Sequence, residues 1–122
     1  MSVLGLANEF RDALEAGDIE RVRACYAPEA EIWHNFDRKT QTVDENLAVL
    51  QLMIARSSRL RYDVKRLEEI ENGYLQHHVL RIDLKSGEEL ETDALALVTV
   101  ANGQISRIDE FIDAAPLAKL FA

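Results

Sequence analysis

The side chains able to move a proton near neutral pH are few in this chain: His34, His77 and His78. An imidazole titrates close to neutrality, so each could serve as an acid or a base. The carboxylate best placed to join one of them is Asp113, where the last alternating apolar run gives way to Ala114-Ala115-Pro116. A carboxylate beside His34 or His78 would raise the imidazole pKa and have its own lowered, each group holding or orienting the other's proton. The bland alternatives are a strand-end or helix-capping aspartate and a core histidine bonded to a backbone carbonyl. No metal is expected, because neighbouring strand residues point apart and His77 and His78 cannot ligate one ion. The single cysteine, Cys25, allows no disulfide framework or cysteine-based zinc site and points to a reducing, cytoplasmic setting. With no base evident beside it, Cys25 reads as a small buried hydrophobe.

These groups need elements to position them, and the hydrophobic pattern defines the elements. Val3, Leu6, Ala7, Phe10 and Leu14 form one stripe of a helix over 2–16, which Gly17 stops. Asp18 caps a short second helix that Pro28 closes. Glu31 to Phe36 is a short strand, and 37–41 a polar loop. Thr42 and Glu45 have capping-box spacing and open a third helix with Val43, Leu47, Leu50 and Ile54 inward. After Ser57-Ser58 the period becomes two, with Leu60, Tyr62 and Val64 alternating with charged residues. Asn72-Gly73, Ser86-Gly87 and Asn102-Gly103 then punctuate three further strands, and 116–121 can form a terminal helix. The fold class is α+β: a cone-shaped, curved, mostly antiparallel sheet with three N-terminal helices on its concave face. A cone encloses a pocket.

Composition narrows the partners. The 122 residues carry 14 Lys+Arg against 22 Asp+Glu, a net charge of −8. Such a chain is repelled by phosphate backbones and by anionic membranes. No apolar stretch approaches the ~20 residues that span a bilayer, and the first residues lack the basic region of a secretory leader. The length suits one domain over residues 1–122.

Strand parity selects the pocket side chains. Ile32, His34 and Phe36 share one face of the first strand, opposite Glu31, Trp33 and Asn35. Glu31 marks the second face as wet, so His34 points inward. If a bulge reverses the register, Trp33 lines the pocket and Asn35 donates to a ligand; otherwise Trp33 packs at an interface. In the second long strand Tyr74, Gln76, His78, Leu80, Ile82 and Leu84 face the core, which carries Gln76 and His78 into the cavity. In the last strand Ile105, Arg107, Asp109, Phe111 and Asp113 oppose Ser106, Ile108, Glu110 and Ile112. Tyr62 and Phe10 complete the ligand-contacting set.

Two segments carry a family likeness. Ala16-Gly17-Asp18-Ile19-Glu20, with the run from Tyr26-Ala27-Pro28 to Ile32-Trp33-His34, resembles the opening of the nuclear-transport-factor-2-like superfamily, which shares the cystatin-like fold. The closing run from Asn102-Gly103 through Ile105-Ser106-Arg107 to Phe111-Ile112-Asp113 is similar to its last strand. The nearest branch resembles SnoaL-like polyketide cyclases and limonene-epoxide hydrolases. Ketosteroid isomerases of this fold need a helix-1 tyrosine, where this chain has Phe10, and an acid on the penultimate strand, where it has Ala96; their base falls at His34. The epoxide hydrolases' Arg-x-Asp pair aligns with His78 and Leu80, and their final aspartate with Asp113. The cyclases imply acid–base chemistry led by Asp113.

The expectation is therefore a cofactor-independent enzyme for a small, mostly apolar molecule, performing isomerisation, cyclisation or hydration. His34 and Asp113 would be catalytic, and Trp33, Asn35, His78, Tyr62 and Phe10 would contact the ligand. The alternative is a non-catalytic ligand-binding or interaction domain. Leu75, Val79, Leu95 and Leu97 on the outer sheet face suggest a homodimer.

Overall fold

All residues from 1 to 122 are described in the computed structural model. Helix α1 (Val3–Ala16) starts at Ser2, whose hydroxyl accepts the Gly5 N–H at 2.9 Å. It stops at Gly17, whose φ of 67° turns the chain off the helix axis. Asp18 caps α2 (Ile19–Cys25) by accepting the Arg21 N–H.

The expected stop at Pro28 comes early, because Tyr26 is already extended and opens β1 (Tyr26–His34). Pro28 instead lies inside β1, where pairing with the last strand breaks between Tyr26 and Glu31. A residue without an N–H forfeits no ladder bond at such an irregularity. The strand also ends at His34, so Phe36 falls in the turn beyond it. The stretch read as a loop contains a short edge strand, β2 (Thr40–Gln41), paired with Ile32 and Trp33.

Both halves of the Thr42–Glu45 capping box form and open α3 (Val43–Arg56). Val43, Asn46, Leu47 and Met53 are its buried residues, so the inner line is rotated from the expected stripe and Leu50 and Ile54 sit on its shoulder. The meander follows as β3 (Ser57–Ile70), β4 (Gly73–Leu84), β5 (Glu89–Ala101) and β6 (Gln104–Ile112). Gly73 is required at the first hairpin: a Cβ there would lie 1.8 Å from the Val98 carbonyl oxygen.

One curved, open sheet results, in the order β2-β1-β6-β5-β4-β3, with β1 parallel to β6 and the other pairs antiparallel. The architecture is mixed α+β, as the pattern of elements implies. No helix is long and apolar enough to cross a membrane. The interior divides into two apolar clusters. One, around Leu14, Tyr26, Ile32, Tyr74 and Ile105, packs beneath α1 and α2. The other, around Met53, Leu80, Ile112 and Leu120, packs against the terminal 3-10 helix Ala115–Leu120. Arg56 ties that helix down by donating to the Leu120 carbonyl at 2.5 Å. Part-buried Leu50 and Tyr62 pack against both clusters, and a cavity bounded by members of both lies within.

Candidate active site

Register brings the polar side chains of four strands into line. Gln76 on β4 faces Ala96 on β5, Ala96 faces Glu110 on β6, and Glu110 lies beside His34 on β1. The row on one side, Tyr74–Val98–Ile108–Ile32, is entirely apolar or aromatic and buried. The next row on the other side holds His78, Ala94 and Ile112. A polar row therefore crosses the concave face between largely apolar ones, and the small Ala96 leaves room over its centre. The space above it is a cavity of about 330 Å³, within the range of small-molecule sites.

His34 and Glu110 stand side by side in this row. The His34 Nε2 stands 3.2 Å from Glu110 Oε1, with the side chains 14% and 23% exposed. The carboxylate's charge reaches well into the cavity. It adds to burial, the larger cause, in pushing the Tyr26 and Tyr62 phenols above their ordinary pKa.

His78 is 2% exposed and receives the Gln76 side-chain nitrogen at its Nδ1, 3.0 Å away. With the Gln76 amide donating there, the neutral imidazole carries its proton on Nε2. That nitrogen has no partner in the protein. Burial lowers the His78 pKa, as do the nearby charges of His77 and Arg11; Glu110 and Asp93 oppose the shift. The ring also meets Tyr62 edge-on, with centroids 5.0 Å apart. His78 thus carries an unused N–H donor in surroundings that disfavour its charged form.

The other expected residues divide. Phe10 and Tyr62 line the cavity, and Phe10 packs edge-on against Tyr26 at 5.4 Å. Trp33 faces away from it and stacks edge-on with Phe111. Asn35 does not face the cavity either: its Oδ1 accepts the Ile112 N–H at 2.8 Å and pins the β1 turn to β6. Asp113 likewise lies outside. Its carboxylate accepts the Ala115 N–H at 3.1 Å and starts the terminal 3-10 helix, while its carbonyl receives the Thr92 hydroxyl. The expected convergence of His34 with Asp113 is thus not the one formed. Strand alternation puts Ile108, Glu110 and Ile112 inward, and parallel pairing sets Glu110 beside His34.

Glu110 was missed although its signal was present: it sits between Ile108 and Ile112, on a face whose apolar flanks mark it as internal. Also missed was the chain in which Tyr26 Oη donates to Asn46 Oδ1 at 2.8 Å and Asn46 Nδ2 donates to Gln41 Oε1 at 3.1 Å. Asn46 lies beside Leu47 on the buried side of α3, and Gln41 belongs to the unexpected edge strand. Cys25 is buried, and burial raises its thiol pKa to about 11, so it is no nucleophile.

The sequence pattern of the SnoaL-like domain matches residues 7–108. The chain belongs to the SnoaL-like family. No curated protein matches it in sequence. Among solved structures, this SnoaL-like chain resembles IdmH, a putative polyketide cyclase from Streptomyces antibioticus, at 17% identity and a TM-score of 0.84, over 99% of both chains. PrhC from Penicillium brasilianum is similar at 16% identity and a TM-score of 0.84, over 97% of this chain and 84% of PrhC. A Catenulispora acidiphila protein with a ketosteroid isomerase-like fold, solved with trimethylamine, matches at 8% identity and a TM-score of 0.76, over 89% of this chain and 85% of that one. At these identities the likeness is one of fold, and it establishes the SnoaL-like, nuclear-transport-factor-2-like architecture.

Proposed function

We propose that this SnoaL-like protein is a cofactor-independent enzyme that moves a proton on a small, largely apolar metabolite, in an isomerisation, cyclisation or hydration. The observation that carries the reading is the His34–Glu110 pair, 3.2 Å apart and opening into an apolar cavity. Glu110 removes a proton from a carbon next to an oxygen-bearing carbon of the substrate. His34, 3.2 Å away, positions the carboxylate. The electron pair released by the C–H bond moves toward the substrate oxygen. Protonated Glu110 returns the proton at the same or another atom, closing the cycle. Asp113 serves the scaffold by starting the terminal helix, and the polar chain Tyr26–Asn46–Gln41 orients the ligand's far side.

The same reading includes a homodimer through the convex sheet face, where Trp33 packs on Phe111 and where Phe111 and Leu97 are 42% and 36% exposed. The ion pairs of Arg107 with Asp109 and Glu31 flank this patch and supply charges of both signs, which a two-fold axis can match.

The test is deuterium exchange at the α-carbons of 2-tetralone in D2O, followed by NMR. Acceleration by the wild type and its loss in Glu110→Gln and His34→Ala support the reading. No acceleration, or acceleration that survives Glu110→Gln, overturns it and leaves a ligand-binding domain.

A further inference from the structure

The mechanism makes no use of Arg11. This residue stands on α1 and reaches the cavity wall, on the side where α1 packs against β3 and β4. Its one side-chain hydrogen bond goes to a neutral group, Asn8 Oδ1, at 2.8 Å. A guanidinium carries five N–H donors, so most of its capacity is unused. Arg21, Arg23, Arg61, Arg66, Arg81 and Arg107 are each paired with a carboxylate, whereas Arg11, like Arg38, Arg56 and Arg59, is not; of these four only Arg11 lines the cavity. In a chain of net charge −8, acids are abundant, yet Arg11 has none.

The charge of Arg11 is felt at the cavity wall, where it helps lower the His78 pKa and works against the burial that raises that of Tyr74. His78 adds the second observation, a buried Nε2 with no partner. The acids of the cavity are already engaged: Glu110 by His34, and Asp37 by the Lys39 N–H. Glu110 stands on β6 and His78 on β4, with β5 between them, which separates their strands by about 10 Å. The cavity wall thus carries two uncommitted donors, Arg11 and the His78 Nε2–H, and two carboxylates that already have partners.

We propose that Arg11 and His78 form a carboxylate-binding end of the cavity, and that the natural ligand is an apolar monocarboxylic acid held there by its carboxylate. This rests on the acid–base reading above and adds the substrate class. A planar carboxylate matches the fork of the guanidinium and can take the His78 Nε2–H on its second oxygen. Anchored so, the ligand extends its apolar body over Ala96 toward Glu110, and the like charge of Glu110 disfavours the reversed orientation.

The test is isothermal titration of wild type, Arg11→Met, Arg11→Lys and Glu110→Gln with three probes of matched size: 2-naphthoate, 2-naphthamide and methyl 2-naphthoate. Charge-assisted pairing predicts that the wild type binds the carboxylate about tenfold or more tighter than either neutral probe. Arg11→Met should erase that preference, Arg11→Lys should keep part of it, and Glu110→Gln should retain or strengthen it. Melting curves of each variant establish that it is folded, since Met is a good helix former at this half-exposed helix position. Equal affinity for all three probes, no binding of any, or a preference that survives Arg11→Met overturns the proposal. The proton-exchange assay on neutral 2-tetralone reads Glu110, so failure of the acid–base reading is seen separately.

Discussion

The two faces of the sheet each carry a histidine–carboxylate pair of almost the same length. On the concave face His34 lies 3.2 Å from Glu110, with the side chains 14% and 23% exposed. On the convex face His77 lies 3.1 Å from Asp93, with the side chains 43% and 76% exposed. Contact distance therefore does not separate a site from a surface ion pair. The surroundings do: a convex pair is screened by water and has a neighbour, Arg66, on the paired strand, whereas the concave pair borders an apolar cavity in which its charge reaches three other polar side chains. The same strands supply both, because successive residues point to opposite faces.

The sharpest way to break this contrast is to neutralise each acid in turn. Glu110→Gln should lower the rate of proton transfer on cavity-sized ketones by about 10²-fold or more, while Asp93→Asn should leave it within about twofold, measured by NMR exchange. Next in size is a steric test of the space itself. Ala96→Leu places a larger side chain over the row between Gln76 and Glu110 and should weaken 2-naphthoate binding by about tenfold or more by titration, with a melting temperature equal to or above that of the wild type because the added methyls occupy existing space.

The convex apolar patch gives a third test: Phe111→Lys should halve the mass seen by light scattering if that face joins two copies, with the exchange activity retained. The fourth concerns pH. Burial depresses the His78 pKa in the folded state below its unfolded value, so the unfolded chain takes up a proton first as pH falls. Stability from this group is complete above the ordinary histidine pKa of ~6.5 and declines as pH drops below it. Urea unfolding between pH 7 and pH 5 should show a shallower loss in His78→Gln than in wild type. The smallest effect expected is on the convex pair: Asp93→Asn should change the unfolding free energy by under about 1 kcal/mol.

Much of the scaffold was legible from local chemistry. Gly17, Asp18 and the Thr42–Glu45 box act within a turn or two of their own residues, and each forms as the sequence implies. Alternation placed Gln76 and His78 inward because β4 is uninterrupted and its inner residues are all buried. The site was legible only by halves. His34 is inward because β1 keeps its parity to its last residue, but β1 begins earlier than Pro28 suggested and Phe36 falls beyond it. The partner of His34 was misread because Asp113 sits at a strand end, where alternation lapses and a free backbone N–H at Ala115 captures the carboxylate.

By itself, the amino-acid order determined the helices, the turns and which residues of each strand share a face, since those follow from capping, glycine conformations and the two-residue repeat. Only the tertiary structure decided which strands lie side by side and in what register. The parallel joining of β1 to β6 brings together residues 76 positions apart, and no local pattern encodes that Glu110 rather than Asp113 arrives at His34. The same assembly leaves the cavity open, because two apolar clusters meet across a row whose middle residue is alanine.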